Sequence, residues 1–143
     1  MSPFEEAIIT KKLSVIVKAL KALEPLRDMP LEEYRKDVYK RKAAERLLQE
    51  LIEAAIDTNA HIITAFGHAA PDDYYESFTR LGELDVISTQ LAEKLAPSAG
   101  LRNRLVHEYD DINDSIVHGA IGFAERLYPE YVKAIERYIS ESH

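Results

Sequence analysis

The chain predicts an all-α fold, an antiparallel bundle of four main helices with one or two short extra ones. Three observations carry that expectation. Apolar residues recur at three- and four-residue spacing over most of the length, helix-start and helix-stop residues punctuate those runs, and no segment alternates apolar and polar residues as a strand would. No internal repeat or low-complexity tract interrupts the pattern. Residues 1–143 therefore read as one domain, long enough to bury a core without disulfide or metal staples.

The elements follow in order. Ser2-Pro3-Phe4-Glu5 is a helix start, with Ser2 as N-cap, Pro3 at the first helical position and Glu5 closing a capping box. Ile9, Leu13, Ile16, Leu20 and Leu23 then repeat at 4-3-4-3 spacing, a narrow seam suited to antiparallel packing, and Pro25 is expected to end the helix. Pro30 opens a second helix with Glu32 and Glu33 in its first turn, where the helix dipole favours carboxylates. The apolar period runs on from Leu47 through Ile63 to Phe66, and Gly67 stands where a C-terminal stop belongs. With no breaker after Leu31, a single helix of about 50 Å fits, and a bend would fall at Asp57-Thr58-Asn59.

Pro71-Asp72 starts a short helix bearing Tyr75, Phe78 and Leu81 that is expected to stop at Gly82. Asp85 is expected to cap another, with Ile87, Leu91 and Leu95, ended by Pro97. Pro97-Ser98 begins the helix with Leu101 and Leu105 on its buried face. Asp110 to Asn113 is a polar break, and Asp114 starts the last helix, which Pro129 kinks or restarts. Tyr131, Ile135, Tyr138 and Ile139 form its apolar side.

Composition bounds the function. A hydrophobic fraction of 46% and a charged fraction of 30% are ordinary for a soluble globular protein. The absence of cysteine excludes disulfides and thiolate chemistry. The N-terminal apolar residues are interleaved with Lys11, Lys12, Lys18 and Lys21, unlike a signal peptide, and no apolar run approaches a membrane span. The expected location is the cytoplasm. A net charge of −7 argues against a general nucleic-acid coat protein, which would carry a basic stripe. It leaves room for a small catalytic contact with RNA, for which Arg102, Arg104 and Lys94 supply local positive charge.

Chemistry concentrates in Leu101-Arg102-Asn103-Arg104-Leu105-Val106-His107-Glu108-Tyr109, with two arginines, an amide, an imidazole and a phenol in nine residues. Arg102 and His107 lie about 140° apart on an ideal helix, so one straight helix cannot aim both at the same atom. Either the helix breaks here or a second copy of the chain completes the site. Histidine suits proton transfer near neutrality, and the planar arginine fork matches phosphate oxygens. The blander readings are surface decoration, or pairing of Arg102 and Arg104 with Glu108, Asp110 or Asp111. Asn103 is placed to orient His107, and Tyr109 by spacing alone is a half-buried residue bordering the apolar stripe.

Elsewhere the residues offer less. His61 and His68 stand about 10 Å apart along a helix, too far to share an ion, so no metal site is expected. No glycine-rich phosphate loop is present. His118 sits among apolar residues and reads as a satisfied core histidine. Glu45, Glu50 and Glu53 read as a solvated face, and Tyr74 and Tyr75 fit packing or base stacking.

Arg-x4-His-x-Tyr with Asn directly after the arginine resembles the signature of HEPN-domain ribonucleases. The nearest pattern is that of HepT-like toxin subunits paired with an MntA-type minimal nucleotidyltransferase. The resemblance extends to Leu81-Gly82-Glu83-Leu84 and Asp110-Asp111-Ile112, and covers most of the chain in length and helical layout. It implies a HEPN-like domain acting as a metal- and cofactor-independent endoribonuclease toxin on RNA, with no DNA or membrane involved. It also implies a homodimer whose motifs meet at one cleft. Arg102 and His107 would then be catalytic and Asn103 and Arg104 supporting. Tyr109 would be the residue to which the nucleotidyltransferase antitoxin attaches AMP. Because one imidazole cannot be base and acid in the same step, His107 from each protomer answers the divergence on the helix. Attack by the ribose 2′-OH leads to a 2′,3′-cyclic phosphate. The rival reading is a non-catalytic subunit that docks a minimal nucleotidyltransferase and presents its substrate. A purely structural helical dimer is the third.

Overall fold

The computed structural model describes residues 1–108 and 111–142, and within them the fold is all-α. Three helices are long: α1 (Pro3–Arg27), α3 (Val38–Ala65) and α7 (Asp114–Glu141). Four are short: α2 (Leu31–Lys36), α4 (Tyr74–Glu83), α5 (Thr89–Leu95) and α6 (Ser98–His107). α3 and α7 lie between α1 on one side and the short helices on the other: α1 packs on both, α4 and α6 pack on α3, and α5 packs on α7. The interior is filled by the seam expected of α1, by Leu48, Leu51 and Ile52 of α3, and by Tyr131 and Ile135 of α7.

Helix ends explain the layout. Ser2 caps α1 by accepting from the Glu5 N–H at 3.2 Å. Pro25 does not end that helix: α1 continues to Arg27. A proline so near the C-terminus removes one hydrogen bond, and burial of Leu23 and Leu26 on either side holds the chain against the core. The long second helix is likewise divided, at Asp37 and not at residues 57–59. Asp37 adopts φ −106° and ψ 99°, and its carboxylate accepts from the Lys40 N–H at 3.0 Å, capping α3. The break lets α2 bury Tyr34 completely. Asp57-Thr58-Asn59 stays helical, with the Thr58 hydroxyl returned to the Ala54 carbonyl at 2.8 Å and Asn59 donating to the buried Ser77.

Gly67 is the stop that its position predicts. At φ +85° its N–H bonds to the Thr64 carbonyl at 2.9 Å, and the His68 N–H reaches Ile63 at 3.3 Å. Gly82, by contrast, lies inside α4, where a Cβ would stand 2.8 Å from that of Ala92. Its role is close approach of α4 and α5. Ser88, not Asp85, caps α5 by accepting from the Leu91 N–H at 3.1 Å. α7 runs through Pro129 without restarting. No helix among the described residues is long and apolar enough to cross a membrane.

Candidate active site

α6 carries the motif. Leu105 is buried and Leu101 half-buried, which turns Arg102 toward α3 and leaves Asn103, Arg104 and His107 exposed. The helix does not break between Arg102 and His107; it stops immediately after His107. The two side chains therefore diverge within one protomer, as the helical angle requires. Tyr109 and Asp110 lie outside the described residues.

Among the described residues of the motif, Arg102 is the most tightly held. Its Nε and Nη2 both donate to Glu53 Oε2, at 3.2 and 2.9 Å, and Nη1 donates to Asn103 Oδ1 at 3.2 Å. The guanidinium carbon stands 5.1 Å from the centre of the Tyr74 ring, a cation–π contact. The arginine side chain is only 19% exposed. Beside it opens a hollow of about 260 Å³ lined by Glu53, Ile56, Asp57, Tyr74 and Arg102. Lys12 of α1 pairs with Asp57 at 3.0 Å.

Several expectations change here. Glu53 is not part of a solvated face: it is the partner of Arg102, forty-nine residues away in sequence. Glu45 is buried, beside Lys42 at 3.5 Å, and Glu50 pairs with Arg46 at 2.9 Å. Asn103 bonds to Arg102 and not to His107, so it does not orient the imidazole. Arg104 meets Glu108 at 3.6 Å, one of the exposed pairings that the sequence allowed. Tyr74 stacks on a guanidinium, whereas Tyr75 is 47% exposed. His118 is satisfied, its Nε2 lying 2.6 Å from the Met29 carbonyl and its ring against Tyr34.

A buried polar chain sets the position of Tyr74. The Tyr131 hydroxyl donates to Asn59 Oδ1 at 2.6 Å, and Asn59 Nδ2 donates to Ser77 Oγ at 3.1 Å. Ser77 in turn donates to the Tyr74 carbonyl at 2.7 Å. Burial pushes the Tyr131 phenol well above its ordinary range, so it stays a hydrogen-bond donor. The chain ties α7, α3 and the start of α4 into one rigid support under the Arg102 ring contact. Sequence reasoning missed Glu53 and this chain. The available signal was Asn59, a polar residue at a core position of an otherwise apolar period.

Among the described residues no cluster of three or more histidines and carboxylates could hold a metal ion. Comparison with known proteins places the chain. The sequence model described as "Ribonuclease HepT-like" matches residues 16–138. The chain is 40% identical over 139 residues to a tRNA nuclease HepT of Aphanizomenon flos-aquae, covering 97% of this chain and 95% of that protein. It is 30% identical over 112 residues to an mRNA nuclease HepT of Shewanella oneidensis, covering 78% and 84%. A structure of a tri-AMPylated Shewanella oneidensis HEPN toxin in complex with MNT antitoxin superposes with a TM-score of 0.81 at 25% identity, over 96% of this chain and 99% of that one. With its motif on α6, its all-helical frame and these likenesses, the chain belongs to the HepT-like ribonuclease family.

Proposed function

We propose that this protein is a metal-independent endoribonuclease, the toxin of a toxin–antitoxin pair, built as one HEPN-like domain that works as a homodimer. The observation that carries the reading is Arg102, fixed by Glu53 and Tyr74 on the helix that ends at His107, in a chain 40% identical to a tRNA nuclease.

Three of the five guanidinium N–H donors of Arg102 are engaged, which leaves two in a fixed orientation for phosphate oxygens. A charged fork held in place before substrate arrives stabilises the negative charge that builds on the phosphorane without reorganising. His107, exposed at the helix end, is free to move protons. Because it diverges from Arg102 in one protomer, a two-fold partner supplies the second imidazole and guanidinium, so that one histidine takes the ribose 2′-OH proton and the other protonates the leaving 5′-oxygen. Asn103 supports Arg102, and Arg104 adds positive charge at the cleft.

Tyr109 is the acceptor for AMP from a nucleotidyltransferase antitoxin of the MntA type. The phosphate of an adenylylated tyrosine competes with RNA for Arg102 and silences the enzyme. The likeness to a tri-AMPylated toxin in complex with its antitoxin supports this part.

Purified protein is expected to cleave RNA in EDTA, to lose that activity in His107→Ala with helicity intact, and to leave 2′,3′-cyclic phosphate ends. Cleavage that EDTA abolishes, or products with other ends, refutes the mechanism. Retained growth arrest on expression of Arg102→Ala refutes the role of the clamp.

A further inference from the structure

Although the chain as a whole is acidic, residues 35–46 hold six basic residues (Arg35, Lys36, Lys40, Arg41, Lys42 and Arg46) against only Asp37 and Glu45. Six of the chain's eighteen lysines and arginines are thus gathered around the start of α3, five of them in ion pairs with nearby carboxylates, as Arg104 is with Glu108. On α3, Tyr39, Lys42, Arg46, Gln49 and Glu53 succeed one another at three- and four-residue steps. They share a stripe within about 40° of the direction of Glu53, opposite the buried face of the helix.

The upper part of the stripe is open to solvent. Tyr39 is 86% exposed, and the side chains of Lys42 and Arg46 are 54% and 64% exposed. Their partners, Glu45 and Glu50, lie on the same helix; the exposed Arg46–Glu50 pair exchanges for a phosphate at little cost, and Lys42 reaches solvent beside the buried Glu45. Towards its lower end the stripe closes in: Gln49 donates to Glu53 at 3.3 Å, and Glu53 grips Arg102.

The stripe meets the motif at Glu53; Arg41, the second anchor on α3, lies about 120° around the helix from it. Arg102 and Asp114, which bracket His107 in sequence, are fixed to α3 at Glu53 and at Arg41, the latter contact being 3.9 Å. Those anchor points are twelve residues, about 18 Å, apart along α3. This is close to the length of the stripe itself.

We propose that this face of α3 is the track along which substrate RNA reaches the cleft. Lys42 and Arg46 contact consecutive backbone phosphates, and Tyr39 stacks on an unpaired base. The inference rests on the ribonuclease reading and adds to it the place where RNA docks outside the reacting atoms. Two features select RNA as the occupant. Exposed cations meet a polyanion, and a solvent-facing phenol at the end of the row offers a stacking platform that every base can use. Continuity with Arg102 through Glu53 gives the track its direction.

The test uses the full-length protein and a labelled tRNA transcript. Binding is measured by anisotropy at several salt concentrations in the His107→Ala background, and cleavage in the otherwise wild-type chain. Lys42→Glu with Arg46→Glu is expected to weaken binding at least about tenfold and to make the salt dependence shallower by roughly one to two phosphate contacts. Tyr39→Ala alone weakens it about fivefold or more with no change in salt slope. The variants raise KM and leave kcat at saturating RNA unchanged, and circular dichroism confirms their folding.

Unchanged affinity and slope in variants of a chain that does cut RNA overturn the track and leave the ribonuclease reading standing. Weakened binding beside a wild-type chain that never cuts RNA does the reverse. If the variants bind RNA normally but lose a nucleotidyltransferase partner, the stripe is a protein-docking face and the proposal is wrong.

Discussion

Glu53 and Arg102 illustrate how much one unseen contact changes a site. An exposed arginine samples many rotamers and loses that freedom when it grips phosphate; here a carboxylate and an aromatic ring have already fixed it. Glu53→Ala removes two of the three hydrogen bonds that hold the guanidinium. The expected result is a fall of roughly ten- to a hundredfold in kcat for RNA cleavage, the order produced by misplacing a catalytic group by about 1 Å. Glu53→Gln keeps an acceptor oxygen and should retain much of the rate. Stability should change by no more than about 1 kcal/mol, because both partners remain partly exposed. Equal rates for wild type and Glu53→Ala, measured under single-turnover conditions, would show that Arg102 needs no holder.

At the scale of elements, the same contrast between local and tertiary causes decides what the sequence could reveal. The α1 seam, the Ser2 cap, the start of α7 at Asp114 and the Gly67 stop were legible because each depends on a few neighbouring residues. The motif on α6 was legible for the same reason. The division at Asp37 was not, since an aspartate in a charged run looks like surface until Tyr34 is seen to be buried behind it. Glu53 was hidden because its partner is distant in sequence, and α3 read alone offers only spaced carboxylates.

Gly82 shows the cost of reading a glycine as punctuation. It lets α4 and α5 touch, and Gly82→Ala would drive a Cβ to 2.8 Å from that of Ala92, which has no flexible end to move. Overpacking of this kind costs about 1–3 kcal/mol, against the roughly 1 kcal/mol that alanine contributes to a helix. A net loss with a Tm lower by several degrees is expected by calorimetry. The double variant Gly82→Ala/Ala92→Gly should be less destabilised than the two single changes summed. A Gly82→Ala protein as stable as wild type would mean that the two helices can move apart freely.

For the whole molecule, the decisive quantity is the number of imidazoles that one cleavage event needs. Arg102 and His107 diverge on a continuous helix, so a single protomer presents its guanidinium on one side and its imidazole on another. If two protomers join their motifs at one cleft, replacing one His107 disables the whole dimer. Wild-type protein mixed with an equal amount of His107→Ala and allowed to exchange subunits should then keep about one quarter of the activity of an all-wild-type sample at the same total concentration, since only dimers with two wild-type chains cut. Independent sites on each protomer would leave about one half. Across a range of mixing ratios, activity should follow the square of the wild-type fraction, and dilution below the dimer dissociation constant should abolish it. A linear dependence, with activity per chain constant on dilution, would mean that each protomer cuts alone and that His107 must meet Arg102 by some other route.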